Sequence, residues 1–286
     1  MRDVTENLRA VEMVRRARPT VEGAGVNLVR AFHAQELPGL DPFLMLDDFH
    51  SDDPADYEAG FPSHPHRGME TVTYMIKGSA DHKDSIGNRG TIGPGDVQWM
   101  TAGSGIIHGE MPHGDEGMQG FQLWINLPRA SKMMAPRYQD IKRDMIPVVK
   151  PAEDVEVRVI AGKAFGAEGP VKDLVVPVEY LDVKIGPGGR FGHDVPKGRA
   201  TFAYVFEGQG SFGKGGERAG AEDLVVYGVG AGVEVTASDQ GVRFLLVSGE
   251  PVREPIAWRG PVVMNTEAEL RQAFDEIRAG TFVKSG

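Results

Sequence analysis

The chain has 286 residues, and 31 Lys and Arg against 41 Asp and Glu leave a net charge of −10. An acidic chain gains nothing from releasing counterions at phosphates, so direct nucleic-acid binding is not expected. There is no cysteine, which excludes a disulfide framework, a thiolate metal site and a cysteine nucleophile, and leaves histidine and carboxylate for any metal.

The length exceeds that of a usual single core and predicts two domains. The 38 Gly and 19 Pro predict many turns and short strands. The stretch Met1–Ala10 is polar, without the apolar run of a signal peptide, and nothing approaches the ~20 apolar residues of a membrane span. No membrane partner is expected, and the cytoplasm is the simplest location.

Val26–Arg30 reads as a strand followed by His33, and Asp41–His50 as a second strand with a charged end. His33 and His50 stand alone, and a lone histidine is ordinarily a hydrogen-bonded or surface residue. A Pro- and Gly-containing loop then leads to His64-Pro-His66. Thr71–Ile76 is β-branched and aromatic and ends at Gly78, which predicts a strand. After turns at Gly87–Gly90 and Gly93–Asp96 come strands at Val97–Met100 and Ile106–Glu110, and Phe121–Asn126 alternates cleanly. Regular short strands without a strong helical period over residues 25–127 are the pattern of a sandwich or small barrel.

Leu127–Lys142 breaks the alternation and, with the segment to Pro151, reads as the connection between domains. Strands resume at Val155–Ile160 and Val178–Val183. Gly68–Gly78 then echoes in Gly198–Gly208, with both glycines, one Thr and the Tyr in register, which suggests an internal repeat. In that register His64 becomes Asp194 and His66 becomes Pro196, so a histidine-rich site belongs to the first half only. Near the end, Thr266–Glu269 forms a capping box. Leu270, Ala273, Phe274 and Ile277 fall on one helical face, and Gly280 stops the helix. This helix is expected to pack over the second domain.

Two short words hold the chemistry. Side chains at i and i+2 of a strand share a face, so His64 and His66 point together, as do His108 and Glu110. If the two strands are neighbours, three imidazoles and a carboxylate converge, a donor set suited to Fe, Mn, Ni, Cu or Zn. Two open positions on an octahedral ion would let such a site act on a substrate. Glu70 competes with Glu110, but Glu110 is favoured because it lies on the face of His108. His82 and His113 read as surface residues, while Trp99, Met100, Phe121, Gln122 and Trp124 are candidates to line the interior.

The surrounding words, His64-Pro-His-Arg-Gly-Met-Glu-Thr-Val-Thr-Tyr74 and Gly95-Asp-Val-Gln-Trp-Met-Thr-Ala-Gly-Ser-Gly-Ile-Ile-His-Gly-Glu-Met-Pro112, resemble the pirin family of the cupin superfamily. The resemblance continues through Ser248–Asn265 and the final helix. It implies an all-β bicupin of two cupin-type antiparallel β-barrels with a short C-terminal helix: residues 1–142 metal-binding, residues 143–286 without metal ligands. It implies His64, His66, His108 and Glu110 as ligands of one divalent ion, iron as Fe(II) first, with Zn, Mn, Ni or Cu as alternatives. Several pirin-like proteins resemble quercetin 2,3-dioxygenases, which implies a flavonol-like substrate and O2, with Glu110 as ligand and proton acceptor. Other pirins are thought to act as redox-sensing regulators through a protein partner, and a metal-braced structural role is the third reading.

Overall fold

The computed structural model describes residues 7–114 and 117–284, so the first six residues of the polar N-terminal stretch lie outside the described residues. Strands dominate, and the described residues contain one α-helix. The chain divides into two compact units. An N-terminal unit comprises Pro19–Arg30, Pro42–Arg143 and the chain from Val252 onward. A C-terminal unit comprises the chain through Arg18, Ala31–Asp41 and Asp144–Pro251. The main change of unit falls between Arg143 and Asp144, and each unit also takes in a terminal segment of the other half.

The N-terminal unit has two antiparallel sheets. A seven-stranded sheet runs, in spatial order, Arg137–Ile141, Val97–Thr101, Met69–Lys77, Met118–Asn126, Phe43–Ser51, Val26–His33 and Arg18–Glu22. A four-stranded sheet runs Phe61–His66, Ile106–His113, Ser79–Asp84 and Arg89–Ile92. Among the described residues no strand pairing joins the two sheets, so the expected cupin-type barrel takes the form of a two-sheet sandwich that is not closed. Arg137–Ile141 pairs with Val97–Thr101, which makes it an edge strand and not a linker. Its polar sequence hid it, because an edge strand can carry charge at most positions.

The C-terminal unit reaches the same architecture with one nine-stranded sheet. Its strands Ala200–Phe212 and Gly232–Gly249 have 13 and 18 residues and pair along most of their length, with register shifts between Val205 and Glu207 and between Gly208 and Gly210. Such bulges bend a strand and let one sheet fold over itself. The core between is aliphatic and aromatic, including Val157, Leu181, Val205, Phe212 and Phe244. The N-terminal strand Val11–Arg16 pairs with Asp223–Tyr227 in this unit. The repeat is visible in the backbone: Gly68 and Gly198 have φ of 77° and 85°, Gly78 and Gly208 of 73° and 68°, values that favour glycine.

The helix Glu267–Ala279 carries its capping box and ends on Gly280 at φ 70°. It packs with the hairpin strands Ala257–Arg259 and Val262–Met264, and its apolar face forms a cluster with Ile107 of the four-stranded sheet and with Phe282. It therefore belongs to the N-terminal unit, not the second. The amphipathic pattern fixed which face is buried but carried no information about the surface that buries it.

Candidate metal centre

Phe61–His66 and Ile106–His113 are antiparallel neighbours, with Ile106 opposite His66 and His108 opposite His64. Directly paired residues share a face, and the three rings converge. Their centroids lie 4.8 Å (His64–His66), 4.5 Å (His64–His108) and 5.0 Å (His66–His108) apart. One ring nitrogen from each lies within 4.8 Å of the others, a span close to the roughly 4 Å that two metal–nitrogen bonds reach across. His66 and His108 are buried and His64 is half-buried, so the cluster meets solvent on the His64 side. Along the second strand Ile106, His108, Glu110 and Pro112 are buried, while Met111 and His113 are exposed.

The register shifts between His108 and Glu110, so that Glu110 stands opposite Phe61. The bulge brings backbones close at Gly109, where a Cβ would lie 3.2 Å from both Phe61 O and Ser63 N. Glu110 keeps the face of His108, but its carboxylate is not among the donor atoms that lie within 4.8 Å of one another, so the structure gathers the three imidazoles and not the fourth expected ligand. Glu110 Oε1 accepts from Thr73 Oγ1 at 3.2 Å.

The cluster has the electrostatics of a metal site. Burial, and then the charge of a neighbouring histidine, lowers the pKa of every ring: His64, His66 far below its ordinary value, and His108 to about 4. Neutral imidazole is the form that ligates. His66 Nδ1 and both nitrogens of His108 are buried without a hydrogen-bond partner, a costly state that an ion would relieve. His64 Nδ1 lies 2.9 Å from Pro62 O. A carbonyl only accepts, so Nδ1 carries the proton and Nε2 keeps its lone pair, the usual orientation of a ligating histidine. The donor set thus fits a divalent ion. Burial pushes the Glu110 carboxyl up, against the opposing influence of His64, the Thr73 bond and His82.

Glu70 lies elsewhere. It pairs with Thr101 and Ile125, whereas its neighbour Thr71 pairs with Met100 and Trp124. Alternation puts Glu70 on the face of Val72 and Tyr74, opposite to Thr71 and Thr73, and its Oε1 accepts from Thr101 Oγ1 at 2.7 Å. The same alternation sorts the interior candidates. Met100, Gln122 and Trp124 share the site face, and Trp124 meets His66 edge-on at 5.1 Å. Trp99 and Phe121 are on the Glu70 face. His33 and His50 are not brought to the cluster; His50 Nδ1 contacts Asp48. His113 is exposed beside Asp81, as expected.

His82 is not a surface residue. It is buried, directly opposite Glu110, stacked on Tyr138 at 5.8 Å and 3.9 Å from Asp140. Gly90 makes room for it, since a Cβ there would fall 2.7 Å from His82 Nε2. A polar row crosses the large sheet in register on the Thr73 face: Asp140 at the exposed edge, then Gln98, Thr73, Gln122 and Asp47. Thr73 Oγ1 sits 2.6 Å from Gln122 Oε1, and Arg30 clamps both oxygens of Asp47 at 2.7 Å. Gln122 was already a candidate to line the interior, and alternation in the strand of Thr71–Ile76 could have exposed Thr73 as well.

Residues 25–125 match the family model described as Pirin, and residues 180–283 match the Pirin C-terminal cupin domain. A pirin-like protein of Caulobacter vibrioides is 45% identical over 277 residues, 96% of this chain and 99% of its own. The crystal structure of a quercetin 2,3-dioxygenase from Acinetobacter baumannii superposes with a TM-score of 0.88 at 34% identity, covering 96% of this chain and 98% of that one. A bacterial pirin from Escherichia coli in complex with nickel(II) shares the fold at TM-score 0.66 and 21% identity, over 84% of this chain and 100% of that one. Among the described residues, no helix is long and apolar enough to cross a membrane.

Proposed function

Since the chain belongs to the pirin family, we propose that it is a metal-dependent dioxygenase of the quercetin 2,3-dioxygenase type. In this reading His64, His66, His108 and Glu110 hold one divalent ion, Fe(II) first, and the substrate is a flavonol or similar enediol-like compound. The observation that carries it is the convergence of three imidazoles, with His66 Nδ1 and both ring nitrogens of His108 buried and without a hydrogen-bond partner. The similarity to a quercetin 2,3-dioxygenase over nearly the whole chain supports it.

A divalent ion supplies Lewis acidity toward a substrate oxygen and, where redox-active, chemistry with O2. The chain supplies the rest. The Pro62 carbonyl orients His64, and the Thr73 hydroxyl lies within hydrogen-bond distance of both Glu110 Oε1 and Gln122 Oε1. Glu110, as a carboxylate on the face of His108, would also be the group to take a proton from a substrate hydroxyl. Trp124 and Met100 give the same face an apolar wall against which a flat aromatic substrate would exclude water.

The test is anaerobic loading with Fe(II), then O2 consumption with quercetin. Metal-dependent uptake that disappears in His66→Ala is expected. A loaded protein that consumes no O2 with any flavonol would refute the enzyme reading.

A further inference from the structure

The C-terminal helix and tail are wired to both ligand-bearing strands through one side chain, Arg67, which directly follows His66. Arg67 is 2% exposed, and each part of its guanidinium is engaged. Nε donates to Ser104 O at 2.7 Å, four residues before His108. One terminal nitrogen donates to Phe282 O at 2.8 Å, and the other pairs with Glu276 Oε2 at 2.7 Å. Its flat face lies 4.2 Å from the centre of the Phe282 ring. The rigid planar fork of arginine suits it to fix several partners at once.

The surroundings make this contact stiff. Arg67 N donates to Pro261 O, Val263 N donates to Arg67 O at 3.0 Å, and Gly68 N donates to Gly103 O at 2.9 Å. Gly105 can accept no side chain, since a Cβ would stand 2.9 Å from Phe282 O and 3.3 Å from Arg67. Ile107, between Ile106 and His108, packs into the cluster of helix residues Leu270 and Ala273. The outward side of the strand bearing His108 is therefore covered by the helix, while its inward side presents the imidazole.

We propose that Arg67 is a positioning residue coupling the docked helix 267–279 and Phe282 to the metal centre, so that tail docking and metal affinity reinforce each other. This rests on the reading of the histidine cluster as a metal site. Coupling between two sites is reciprocal: if docking raises affinity for the ion, the ion must stabilise docking by the same factor. Removing groups that orient ligands typically weakens metal binding 10- to 100-fold.

The experiment uses the full chain with Co(II) as the probe. Metal dissociation constants are measured for wild type, Glu276→Gln, Phe282→Ala and, as a control on the same helix, Asp275→Asn. Asp275 is exposed and pairs with Arg278 rather than Arg67. Amide hydrogen exchange over residues 267–283 is followed with and without Co(II). Expected are a roughly tenfold or greater weakening in both Glu276→Gln and Phe282→Ala, wild-type affinity in Asp275→Asn, and slower exchange over 267–283 when Co(II) binds wild type. Wild-type affinity in either test variant, or exchange that Co(II) leaves unchanged, overturns the coupling and leaves the metal site standing. A wild-type chain that takes up no Co(II) overturns both.

Discussion

Glu110→Gln and Glu70→Gln make opposite predictions from nearly identical chemistry. Each replaces a buried carboxylate with its isosteric amide, and each carboxyl has its pKa raised, by burial before any other cause. In the metal-free protein neither change should cost much, since the amide removes a poorly solvated charge and its oxygen can still accept from Thr73 or Thr101. Apo stability is expected to shift by no more than about 1 kcal/mol, and upward as readily as down. Metal affinity should separate them. Glu110 lies on the face of the three imidazoles, and exchanging an anionic ligand for an amide should weaken binding about 100-fold or more, about 2.7 kcal/mol at 1.36 kcal/mol per decade. Glu70 lies on the opposite face and should leave affinity unchanged. The assay is competition with a chromophoric chelator, alongside urea unfolding of the apo forms. Loss of metal in Glu70→Gln with retention in Glu110→Gln would refute the face assignment and the four-ligand reading with it.

Three further outcomes follow from the packing around the site. Gly68→Ala places a Cβ 1.9 Å from Val263 O at a φ of 77°; the backbone strain and the forced movement should together cost about 3 kcal/mol or more in urea unfolding. Lys132→Met removes the donor that Nζ gives to Gly68 O, Asn126 Oδ1 and Val263 O. With buried acceptors stranded, it should lose about 2–4 kcal/mol by the same assay. Burial raises the Glu276 carboxyl, but bonds with Lys284, Gln272 and Arg67 more than reverse this and hold it at about 2, below the ordinary 4.5. A depressed carboxylate contributes stability that is fully present above 4.5 and lost as pH falls through 2. The stability gap between wild type and Glu276→Gln should therefore be constant above pH 5 and close toward pH 2 in unfolding midpoints, and a gap independent of pH would contradict this.

The shared faces of the two short words were legible because strand alternation is a local rule: His108 and Glu110 needed only a strand to share a face. The same rule applied to Gln122 and Trp124 once their strand was recognised. His82 was missed because Ser-Ala-Asp-His-Lys-Asp offers too few apolar residues to mark its inward side, although the buried and exposed positions do alternate there. Arg137–Ile141 was missed because only Ile141 of its five residues is buried, which leaves no apolar alternation to mark a strand. The docking of the helix onto the strand of His108 depends on contacts such as Arg67 to Phe282, 215 residues apart, and no local pattern encodes which distant surface a helix will meet. In the second half Val155–Ala161 and Val178–Ile185 were legible from their aliphatic alternation, but the pairing of Val11–Arg16 with Asp223–Tyr227 is long-range in the same way.

The central claim is met most directly by anomalous diffraction from crystals of the protein purified and supplied with Fe(II) without oxygen. One iron per chain is predicted, bound by His64, His66, His108 and Glu110. Crystals with no anomalous peak there, or with iron bound only by other residues, contradict the account.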